Sequence, residues 1–124
     1  MQIKSILHTS VLVSDLEASL SFYCDILGLS VDPSRPELGY GGVWLDVCAQ
    51  QQIHLLVLDN PDPIDGRPEH GGRDRHTAMA VSEVDSLILT LEEAGIPYTR
   101  SRSGRGALFC RDPDGNALEF IPVV

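Results

Sequence analysis

Four side chains with coordination or acid–base chemistry, His8, His54, His76 and Glu119, occupy matching places in two copies of one pattern. His8-Thr-Ser-Val-Leu-Val-Ser-Asp15-Leu-Glu aligns with His76-Thr-Ala-Met-Ala-Val-Ser-Glu83-Val-Asp, a spacing of 68 residues. That period is too long for a solenoid repeat and indicates an internal duplication. Further along, His54 stands 46 residues after His8, and Glu119 stands 43 after His76. A pseudo-twofold between the copies would bring the four positions towards one axis. Imidazoles and a carboxylate suit first-row divalent metals, and two His with one carboxylate and open positions is a recognised catalytic arrangement. Substrate oxygens entering the open positions would meet a Lewis acid. A lone histidine is more often a packed or surface group. The repeat argues against that reading here.

The elements that must carry these residues are strand, helix and further strands in each copy. Ile6 to Val13 and His76 to Val81 alternate with period two. Thr9, Val11 and Val13 share one face, opposite His8, Ser10 and Leu12. Ser14-Asp-Leu-Glu17 and Ser82-Glu-Val-Asp85 read as capping boxes with serine N-caps. The apolar stripes Leu16, Leu20, Tyr23, Leu27 and Val84, Leu87, Leu91, Ala94 follow. Gly28 and Gly95 then sit where left-handed C-caps are needed. Gly42 to Cys48 and Gln52 to Leu58 form a β-hairpin pattern. Ala107 to Arg111 and Ala117 to Val123 flank the turn Asp112-Pro-Asp-Gly-Asn116. The chain thus reads as one domain over residues 1–124: a first module to about 58, a connector over about 59–75, and a second module from about 76. The connector, with three prolines and three glycines, is a candidate pocket rim that holds His70.

Composition narrows the function classes. The 124 residues carry a net charge of −9, which disfavours nucleic acid as a partner. No run approaches the roughly 20 apolar residues of a membrane span, and the first residues lack a signal-peptide pattern. Three widely spaced cysteines, Cys24, Cys48 and Cys110, fit a reducing compartment and point to the cytoplasm. Seven of the eight arginines lie between Arg67 and Arg111, so an anionic substrate remains compatible with an acidic protein. Nucleophile elbows and dinucleotide fingerprints are absent. Trp44, Asp46, Cys48, Phe109 and Arg111 are secondary candidates for a cavity wall.

The segment from His8 through Gly28 resembles the opening of a vicinal oxygen chelate protein, and Asp112-Pro-Asp-Gly-Asn-Ala-Leu-Glu119 resembles the closing motif of that superfamily. The resemblance spans essentially the whole chain. It implies an α+β fold of two βαβββ modules related by pseudo-twofold symmetry, with a curved mixed sheet around a metal cavity. It further implies His8, His76 and Glu119 as ligands of a divalent ion (Ni, Zn, Mn or Fe), a small-molecule substrate and a homodimer. At the place of His54, glyoxalase I carries a glutamate that is both ligand and base, so His54 becomes a fourth ligand or the catalytic base. Three activities follow from the resemblance. The first is a metal-dependent lyase or isomerase like glyoxalase I. The second is an extradiol-type dioxygenase or a fosfomycin-type thiol transferase. The third is a metal-free binding protein of the bleomycin-resistance kind, which has no need of the three ligands.

Overall fold

A computed structural model describes residues 1–124 and divides them into two compact units, Met1–Pro61 and Asp62–Val124. The first unit runs β1 (His8–Val13), α1 (Leu16–Leu20, continued by a π-helical turn over Ser21–Ile26), β2 (Ser30–Asp32), β3 (Gly42–Cys48) and β4 (Gln51–Val57). The second runs through a 3₁₀ turn (Gly71–Arg73), then β5 (His76–Val81), α2 (Asp85–Glu93), β6 (Tyr98–Arg100), β7 (Leu108–Arg111) and β8 (Ala117–Pro122). Each unit is therefore a βαβββ module. Most of the connector belongs to the second unit.

The two sheets repeat one topology, β1-β4-β3-β2 and β5-β8-β7-β6. The first pair in each is parallel and the other neighbours are antiparallel. Ser10 pairs with His54 as Ala78 pairs with Glu119, so the internal repeat is a repeat of register. Side chains alternate across a strand, which gives each sheet two unlike faces. In the first module Val13, Leu45, Ile53 and Leu55 fill one face and are buried, as are Phe22 and Tyr23 of the helical segment. Burying each such side chain contributes roughly 1.5–3 kcal/mol. The opposite face carries His8, Ser10, Trp44, Asp46, Gln52 and His54.

The helix starts differ from the expected serine caps. Asp15 is the N-cap of α1, its carboxylate accepting from the Ala18 N–H at 3.2 Å. At α2 the Glu83 carboxylate accepts from the Ser86 N–H at 2.9 Å and from the Ser86 hydroxyl. In both copies a carboxylate one residue past the serine satisfies a first-turn donor, and its charge suits the helix N-terminus. The expected stripe on α1 is also displaced. Leu27 N–H donates to Phe22 O, five residues back, and the buried positions are Ser19, Phe22 and Tyr23 rather than Leu16, Leu20 and Leu27. A wider turn holds an extra residue, which rotates Leu27 beyond it around the axis; before that turn, Ser19 is the buried position and Leu16 and Leu20 are only partly covered. Gly28 and Gly95 do adopt the left-handed conformation, φ +77° and +69°, and close their helices.

Candidate functional site

In the first module, period two on β4 sets Gln52 and His54 on the polar face. Their neighbours across the sheet are His8 and Asp46, and Ser10 and Trp44, respectively. The His54 ring stacks on His8 at 3.9 Å between centroids and on Trp44 at 4.6 Å, both within 11° of parallel. The Gln52 amide nitrogen donates to Asp32 and to Asp46, each at 2.8 Å. Both partners are acceptors, so the amide oxygen is turned towards His54 Nε2, 2.9 Å away. Nε2 therefore carries the proton, and the lone pair of the neutral ring is on Nδ1. Burial, reinforced by His8 and Arg35, lowers the His54 pKa and favours that neutral form.

In the second module, β8 buries Glu119 to 3 % side-chain exposure. One carboxylate oxygen lies 3.2 Å from His76 Nε2 and the other lies 3.2 Å from the Arg105 guanidinium. The His76 Nδ1–H donates to the Asp74 carbonyl at 2.8 Å. That bond leaves the Nε2 lone pair facing a carboxylate, two acceptors that need a proton or a metal cation between them. Cis ligands with bonds of about 2.1 Å sit about 3 Å apart, close to the His76–Glu119 separation. A ligating histidine that donates its other N–H to a carbonyl is the usual supporting arrangement. The pair fits a divalent ion by donor type, spacing and tautomer.

The connector holds this arrangement in place. Asp74 accepts two bonds from Arg67 at 2.7 Å each and one from Arg111 at 2.8 Å. These cations hold its carboxyl far below the usual carboxylate range. Arg111 also donates to the Gly115 carbonyl at 2.7 Å, which ties the Asp112–Asn116 turn to the connector. Gly71 is buried over the sheet, where a Cβ would lie 3.3 Å from that of Ala117 and 3.4 Å from that of Phe109. The Phe109 ring meets His70 and His76 edge-on at 4.8 and 5.3 Å.

The four positions singled out in the sequence thus come together as two pairs, one in each module: His8 with His54, and His76 with Glu119. No three His, Cys, Asp or Glu side chains form a metal-holding group. Gln52, Arg67, Asp74 and Arg105 were not singled out. Gln52 was within reach of the sequence, since period two places it on the face of His54. Arg105 was not, because nothing in a serine- and glycine-rich loop tells which arginine turns towards a strand 14 residues on.

Comparison with known proteins agrees with this geometry. Residues 5–120 match the Glyoxalase/Bleomycin resistance protein/Dioxygenase superfamily. Glyoxylase I 4 of Arabidopsis thaliana is 31% identical, covering 100% of this chain and 76% of its own. The lactoylglutathione lyase of Haemophilus influenzae is 30% identical over 94% of this chain and 90% of its own. A glyoxalase family protein from Bacillus anthracis superposes with a TM-score of 0.79 at 26% identity, covering 100% of this chain and 98% of its own. With two βαβββ modules in matching register and a match over nearly its whole length, the chain belongs to the glyoxalase/bleomycin resistance protein/dioxygenase superfamily.

Proposed function

We propose that the protein is a metal-dependent, glyoxalase-like lyase or isomerase acting on a small substrate with vicinal oxygens. The observation that carries the reading is the facing pair of His76 Nε2 and the buried Glu119 carboxylate, 3.2 Å apart, with His76 held in the ligating tautomer by the Asp74 carbonyl. His8, from the same chain or a second copy in a dimer, completes the ligand set. A divalent cation bound by these residues supplies Lewis acidity to the substrate oxygens. His54 is the base. Its Nε2–H is engaged by Gln52, its lowered pKa keeps the ring neutral, and Nδ1 takes a proton from one substrate carbon and returns it to the next. The lactoylglutathione lyase of Haemophilus influenzae, a relative over most of both chains, supports this class of reaction.

The stacked faces of Trp44, His54 and His8 favour a second reading, a metal-free binding protein that receives a flat ligand. Elemental analysis of protein purified without added metal separates the two. About one equivalent of Ni, Zn, Mn or Fe is expected, lost in His76→Ala. Protein that takes up no metal under any loading condition sinks the enzyme reading.

A further inference from the structure

The eight arginines are not used alike. Arg67 and Arg111 hold Asp74, Arg75 pairs with Asp62, and Arg105 pairs with Glu119. Arg35 donates to the Tyr40 carbonyl and lies over the Tyr40 ring. The remaining three, Arg73, Arg100 and Arg102, have no carboxylate partner, and all three line one cleft of about 630 Å³ in the second module. Glu69 is the one acid in its wall, against three guanidinium groups. Arg100 donates to the Gly106 carbonyl at 3.4 Å, and none of the three forms an ion pair, so the cleft wall carries an excess of positive charge in a chain of net charge −9.

The cleft also offers hydrogen-bonding groups beside these arginines. His70 Nδ1 and the Thr99 hydroxyl are 2.7 Å apart, and both line the cleft. With the imidazole N–H donating, the hydroxyl hydrogen is free to donate in turn. Thr99 pairs with Phe109, and Phe109 pairs with Glu119, so the three form one row on one face of the sheet. Two strand spacings put Thr99 about 10 Å from Glu119. The loop following β6 spans both places, with Arg102 in the cleft and Arg105 on the Glu119 carboxylate.

We propose that this cleft is an anion subsite that takes a carboxylate or phosphate group of the substrate. Guanidinium groups bind both anions through paired, charge-assisted hydrogen bonds. The substrate class is then a small bipartite molecule, with an anionic group about 10 Å from the oxygens presented to His76 and Glu119. The bipartite placement rests on the function proposed above; the anion site itself does not.

The test is calorimetric titration of chelator-treated, metal-free protein with inorganic phosphate and, separately, with succinate. Low ionic strength is required because screening weakens exposed charges. Saturable binding of at least one probe is expected, weakened at least tenfold in Arg73→Gln/Arg102→Gln. Binding of phosphate alone or of succinate alone identifies the anionic group, and binding of both shows that the cleft takes either. Lys4→Gln/Arg75→Gln, which removes the same charge elsewhere, is expected to bind as the parent does. Neither probe binding, or equal weakening in the two double variants, overturns the proposal. Because no metal is present, a failed metal reading leaves this result interpretable.

Discussion

Glu119 is shared between two partners of different character, an imidazole and a guanidinium. His76 reaches one oxygen through a ring fixed by the Asp74 carbonyl, whereas Arg105 reaches the other from an exposed loop, its side chain 57% exposed. An arginine so placed neutralises the buried carboxylate but also competes with an incoming metal ion. A solvent-exposed ion pair contributes about 1 kcal/mol or less, so removing the competitor is expected to tighten metal binding up to about fivefold. Arg105→Ala should therefore show a lower Kd for Zn²⁺ by calorimetry; an unchanged or higher Kd would mean that Arg105 does not compete. His54 is tuned in the opposite sense. Burial, with His8 and Arg35, favours the neutral ring, and the Gln52 acceptor fixes one tautomer, a state suited to taking up a proton.

Among the elements, the connector contributes most beyond its length. Its 3₁₀ turn lies on the sheet because Gly71 has no side chain to hold it away, and Asp74 anchors its end to Arg67 and Arg111. The Asp74 carboxyl is held well below its ordinary value, so it stabilises the fold fully above the unfolded-state pKa of about 4, and that contribution fades as pH falls below it. Asp74→Asn should cost about 2 kcal/mol in urea unfolding at pH 7, the scale of a hydrogen bond to a charged group, since two partly exposed arginines lose a charged partner. The difference from the parent should shrink steadily below about pH 4; a difference constant down to pH 2 would refute this assignment. The sequence made the strands legible because alternation is local: His76–Val81 and Gly42–Cys48 could be bounded directly. It also exposed the module repeat, and with it the four candidate positions. The connector clamp was not legible. Asp74 and Arg111 are 37 residues apart, and their meeting depends on the completed sheet. The helix caps failed for a smaller reason, since serine and the acid beside it can each serve the same first-turn donors.

At the scale of the whole molecule, the two modules share a topology but not a way of covering their sheets. The units Met1–Pro61 and Asp62–Val124 are each close to 60 residues, a size at which folding buries only about 60% of the unfolded chain's surface. Module one buries one sheet face, through Val13, Leu45, Ile53 and Leu55, and leaves His8 and Ser10 exposed on the other. Module two buries residues on both faces: Leu108, Cys110, Leu118 and Phe120 on one, Phe109, Ala117 and Glu119 on the other. Phe109 and Ala117 of the second set lie beneath the module's own connector, which the Asp74 ion pairs secure. A fragment of residues 62–124 is therefore expected to be more stable than a fragment of residues 1–61. Expressed separately and followed by circular dichroism in urea, the first should show a cooperative transition with the higher midpoint. The second should unfold gradually or at a lower midpoint, since marginal burial leaves little margin over chain entropy. Equal midpoints, or the reverse order, would show that the connector adds little to its module, and the support it gives to His76 would then have to come from elsewhere.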